Sequence, residues 1–136
     1  MDYSLVWLDL DNDFTNNVYN SFTGKLPHTK IINLMAARGD MYMEVDKPDM
    51  IIDGCEDVIR ADPDAVFASR ILTSTTDVDK IPKCSDLFDL YCGMKMGYKR
   101  FLMGDEVCTR ETSLKSAVNL FGIISQKHDY YNKKHI

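Results

Sequence analysis

At 136 residues, 45% hydrophobic and 27% charged, the chain is long enough for one hydrophobic core and too short for two ordinary domains. A net charge of −5 and a pI near 5.1 argue against broad binding to nucleic-acid backbones, which takes clustered Lys and Arg. No apolar run reaches about 18 residues and no basic region precedes a long apolar one at the N-terminus, so the expectation is a cytoplasmic protein with no transmembrane helix and no membrane partner.

The first predicted element is the apolar run Leu5-Val6-Trp7-Leu8, which ends in Asp9, Asp11 and Asp13. A continuous apolar run suits a central strand of a parallel sheet, covered on both faces. Asp9 and Asp11 then project the same way from its C-terminal end, where open α/β sheets bind ligands. Two carboxylates held together repel unless a cation or a proton lies between them.

Phe14, Val18 and Phe22 recur at intervals of four and predict a helix over 13–22, ended by Gly24. Residues 29–36 read as a second buried strand. Arg38-Gly39-Asp40 reads as a turn, and 41–45 alternates as a short strand or hairpin before Pro48. Proline fits the first turn of a helix over 49–59, because the N–H it lacks would be unpaired there; Gly54 weakens that helix by about 1 kcal/mol relative to alanine.

Asp62-Pro63-Asp64 is a turn signal, and 65–72 follows as a third strand running into four consecutive hydroxyls, Thr73 to Thr76. Between Ile81 and Met96 the period is helical, with Leu87, Leu90, Tyr91 and Met94 on one face, Ser85 or Asp86 near the start and Gly97 at the end. Residues 100–103 form a short fourth strand that leads into Gly104, Asp105 and Glu106. A helix from about Thr112 carries Leu114, Ala117, Val118 and Phe121, and Gly122 is expected to break it before a possible fifth edge strand at 123–125.

Alternating strands and helices give the expected class: α/β, a single Rossmann-like three-layer domain over 1–126 with a mostly parallel sheet of four to five strands. Residues 127–136 form a polar C-terminal tail, expected to fray. The four cysteines include no CxxC pair and the three histidines no HxxxH, so reduced structural thiols are expected rather than a zinc site. Trp7, Phe67, Phe101 and the methionines read as core.

With parallel strands, three polar clusters share one sheet edge: Asp9 with Asp11, Thr73 to Thr76, and Asp105 with Glu106. Hard carboxylate oxygens suit Mg²⁺, which prefers a few carboxylates together with water and a substrate phosphate. Hydroxyls at Thr73 and Ser74 suit phosphate oxygens, and a lysine nearby would neutralise their charge.

These motifs resemble, in order, those of the haloacid dehalogenase (HAD) superfamily of phosphatases. Leu8-Asp9-Leu10-Asp11-Asn12-Asp13 is similar to its strand followed by Asp-x-Asp-x-Thr, Ile71-Leu72-Thr73-Ser74 to its strand ending in Thr or Ser, Lys80-Ile81-Pro82 to its lysine motif, and Gly104-Asp105-Glu106 to its acidic motif. The resemblance spans most of the chain. It implies Asp9 as nucleophile, Asp11 as general acid and base, Thr73 and Ser74 on the phosphate, Lys80 stabilising its charge, and Asp105, with Glu106 beside it, completing a magnesium site with Asp9 and Asp11. Asp13 stands where the family has Thr, and Thr109-Arg110-Glu111 where a second Asp commonly follows, so the motifs are degenerate.

Two other readings use the same residues. Asp-x-Asp-Asn after a first strand, with Asp86 or Asp89 and then Asp105, also resembles NYN and PIN-type nuclease domains, in which clustered acids bind metal for RNA hydrolysis. In the other, the chain is a binding or accessory protein with a protein partner: Asp11 or Asp13 caps the helix near Phe14, and Thr73 to Thr76 is a loop. The implied partner of an enzyme is a small phosphorylated substrate, with nucleic acid less favoured by the charge.

Overall fold

In the computed structural model, which describes residues 33–77 and 81–134, both backbone groups of Leu34 are committed before the first strand begins. Its N–H donates to Asp62 Oδ2 at 2.7 Å and its carbonyl accepts from Val66 N at 3.0 Å. The strand that follows, β1 (Met35–Ala37), runs parallel to β2 (Val66–Ala68), with Met35 opposite Val66, Ala36 opposite Phe67 and Ala37 opposite Ala68. Between them lie α1 (Arg38–Glu44) and α2 (Met50–Ala61), since parallel neighbours need a long crossover. A third strand, β3 (Arg100–Leu102), gives the sheet order β1-β2-β3. The described residues thus form a mixed α/β chain with three parallel strands and five helices. None of those helices is long and apolar enough to cross a membrane.

The chain divides into two compact units. The first holds described residues 33–68 and 98–100. Its core is Ala36, Val58, Phe67 and Tyr98, with Met41 and Cys55 beside them in the buried set. The Tyr98 ring packs on Phe67 at 4.8 Å between centroids, and its hydroxyl donates to the Cys55 carbonyl. Burial pushes that phenol well above its ordinary range, so it remains a donor across physiological pH. Arg38 lies over the other aromatic: its guanidinium is 4.1 Å from the Phe67 ring centroid, and its Nε donates to the Ala68 carbonyl at 3.1 Å.

Two expectations in this unit are corrected. Residues 41–45 are not a strand or hairpin, and Arg38-Gly39-Asp40 is not a turn; together 38–44 form helix α1. A strand would bury Met41 and Met43 on one face, yet Met41 is 1% exposed and Met43 80%. The inward residues are Arg38, Met41 and Val45, at helical spacings of three and four. Helix α2 matches its reading, beginning after Pro48 and burying Cys55, Val58 and Ile59.

The second unit holds described residues 69–77, 81–97 and 101–134. The strand expected over 65–72 stops at Ala68, because Ser69, Arg70 and Leu72 have φ of 81°, 56° and 54°. Left-handed backbone at these residues is incompatible with a strand and costs about 1–2 kcal/mol each. Ile71 and Leu72, each 1% exposed, are buried from this bend rather than from a sheet. The chain then makes a 3-10 turn, η1 (Thr73–Thr76), followed by α3 (Cys84–Met96), which Gly97 ends at φ 111° as expected.

After β3 come the short α4 (Asp105–Cys108) and the long α5 (Glu111–Lys134). Here the sequence reading is corrected again: α5 runs through Gly122, so 123–125 is no strand and 127–134 is helical. Its inward stripe is also turned from the expected one. Ser113 and Ala117 are fully buried, whereas Leu114 and Val118 are 37% and 56% exposed. Helix α5 packs on α3, α4 and η1, with Phe101 and Phe121 edge to face at 5.3 Å.

Candidate functional site

The four hydroxyls of η1 have different fates, fixed by the turn they sit on. Thr75 is buried, and its Oγ1 donates to the Leu72 carbonyl at 2.7 Å; Thr76 Oγ1 donates to the Thr73 carbonyl at 2.8 Å. Such local bonds are what short hydroxyl side chains offer a tight turn. Ser74 faces α3 instead. Its N–H donates to Asp86 Oδ2 at 2.8 Å, and its Oγ accepts from Lys83 N at 3.0 Å.

Beside this turn lies a concave space of about 220 Å³ lined by Thr73, Ser74, Thr76, Asp77, Ile81 and Lys83. It is smaller than the roughly 300–1,000 Å³ of a pocket for a drug-sized ligand. A phosphate group with a small substituent is of the right scale. Thr73, Ser74, Thr76, Lys83 and Asp77 are the polar residues of its wall, and Ile81 is the apolar one.

The acidic motif reaches the same neighbourhood. Val107, fully buried, anchors α4, and α4 packs against η1 within the second unit. Asp105 and Glu106 are exposed in the first turn of that helix, with Gly104 at its N-cap. The Glu106 carboxylate lies over Gly104, 3.8 Å from where a Cβ would stand there.

Of the residues expected at the site, Thr73, Ser74, Asp105 and Glu106 therefore fall on two elements in contact, while Asp9, Asp11 and Lys80 lie outside the described residues. The first strand and the helix over 13–22 lie outside them as well. Among the described residues no three of His, Cys, Asp and Glu gather as a metal-binding group. Asp105 and Glu106 are hard oxygen donors of the kind Mg²⁺ takes, and any fuller set must draw on residues beyond those described.

Two site residues carry more than the sequence reading gave them. Asp86, read as a helix-start residue or a nuclease acid, holds the Ser74 amide, so one of its oxygens is committed within the fold. Lys83, three residues beyond Lys80, lines the concavity. An acid in the first turn of a helix is placed to accept backbone N–H groups, but nothing in the sequence says that the group it accepts is Ser74 N, and nothing marks Lys83. The chain matches no family model, no curated protein and no solved structure.

Proposed function

We propose that the chain is a magnesium-dependent phosphohydrolase of the HAD type, a cytoplasmic enzyme acting on a small phosphate ester or nucleotide. The observation that carries this reading is the packing of α4 against η1, which draws the acidic motif and the hydroxyl motif together across about thirty residues of chain. In the full proposed fold, the run Leu5 to Leu8 is a further parallel strand of a Rossmann-like sheet and ends in Asp9 and Asp11.

In this reading Asp9 attacks phosphorus through a carboxylate oxygen, and the bond to the leaving oxygen breaks as Asp11 protonates it. Asp11 then takes a proton from water as the water attacks the phospho-aspartate, which frees phosphate and restores Asp9. Thr73 and Ser74 hold the phosphate oxygens, and Lys80, with Lys83, offsets their charge. Asp9, Asp11, Asp105 and Glu106 would hold the magnesium ion, which supplies charge screening between the two anions.

The test is phosphate release from an aryl phosphate by the full chain, with and without magnesium. The reading predicts magnesium-dependent turnover that Asp9→Asn abolishes while the far-ultraviolet circular dichroism is unchanged. Cleavage of RNA with no turnover of the aryl phosphate would instead support the nuclease reading, and neither activity would support a binding protein.

A further inference from the structure

The structure gives Asp86 no place in the chemistry, yet it ties together the two elements that line the concavity. From this we infer that Asp86 is a positioning residue for phosphate, acting through Ser74 and Lys83; the inference rests on the phosphohydrolase reading above. Its Oδ2 accepts from Ser74 N at 2.8 Å, while Ser74 Oγ accepts from Lys83 N at 3.0 Å, so turn and helix each hold a backbone group of the other.

This reciprocal clasp sets where Thr73 and Lys83 stand on either side of the space of about 220 Å³. It also determines which donors remain. Thr75 and Thr76 spend their hydroxyl protons on the Leu72 and Thr73 carbonyls, and the Ser74 amide is spent on Asp86. Thr73 Oγ1 and Lys83 Nζ are committed to no described residue, and both line the space. An incoming phosphate is therefore met by the side chains of Thr73 and Lys83, whose turn and helix the clasp holds together, with Asp77 on the same wall.

The experiment is titration of the full chain with inorganic phosphate, in magnesium chloride, followed by isothermal calorimetry on the native protein, Asp86→Ala, Asp86→Asn and Asp86→Glu. Alanine removes the acceptor and is expected to weaken phosphate binding about tenfold, the upper end of what one hydrogen bond contributes. Asparagine keeps an acceptor oxygen at the same reach and is expected to stay within about twofold of native. A merely structural role would lower the melting temperature of the alanine variant and leave the phosphate affinity of its folded fraction unchanged.

Native-like phosphate affinity in folded Asp86→Ala overturns the inference and leaves the phosphohydrolase reading standing. Should the alanine chain not fold, the comparison of Asn with Glu decides. Tight binding by Glu with loss in Asn assigns the effect to charge and overturns the clasp, and the reverse order supports it. Absence of phosphate binding by the native chain overturns the inference, and turnover of the aryl phosphate decides separately whether the phosphohydrolase reading stands.

Discussion

Asp62 caps the C-terminus of α2 and is fully buried. Asp62, Pro63 and Asp64 form the expected turn, and the first of them serves two donors, Leu34 N at 2.7 Å and Asp64 N at 2.9 Å. It thereby joins the entry of β1 to the entry of β2, which a turn propensity cannot reveal because Leu34 is remote in sequence. Replacing Asp62 by alanine leaves the buried Leu34 N–H without its acceptor and removes the part-buried bond to Asp64 N, and the expected loss is about 1–3 kcal/mol of unfolding free energy. A urea titration checks this, and a loss below about 0.5 kcal/mol would contradict the role assigned to the carboxylate.

At the scale of elements, packing decides whether a glycine ends a helix. Helix α5 crosses Gly122 because the residues on either side are held by packing on α3, α4 and η1, and its termini are favoured locally. Glu111 and Lys115 pair at 2.6 Å in the favourable order, and Lys133 and Lys134 sit in the last turn. Tertiary contacts override a glycine penalty of about 1 kcal/mol. A Cβ at Gly122 would meet nothing within 4 Å. Gly122→Ala is therefore expected to stabilise the chain by about 0.5–1 kcal/mol, read as a rise in melting temperature. A fall would show that α5 needs the glycine. Helix α1 was missed because its pattern, with only Met41 fully buried, is too sparse to separate a period of 3.6 from one of two.

For the whole molecule, α2, β2, α3, β3 and the first half of α5 were legible in the sequence, with Pro48 before α2 and Gly97 after α3 as punctuation. Strand lengths were not: the described strands have three residues each, and the buried run at Ile71 and Leu72 belongs to a left-handed bend. Of the candidate site, the Thr73 and Asp105 clusters were legible as polar groups following short strands. The clasp by Asp86 was not, because it depends on which side of η1 faces α3. In the proposed phosphohydrolase, Asp9, Asp11 and Asp105 bind one magnesium ion. The check is the melting temperature with and without millimolar magnesium, on the native chain, Asp9→Asn and Asp105→Asn. A ligand of the native state must raise stability by mass action, so a magnesium-dependent rise lost in both variants is the predicted result. No rise in the native chain, or a rise that both variants keep, would contradict the claim.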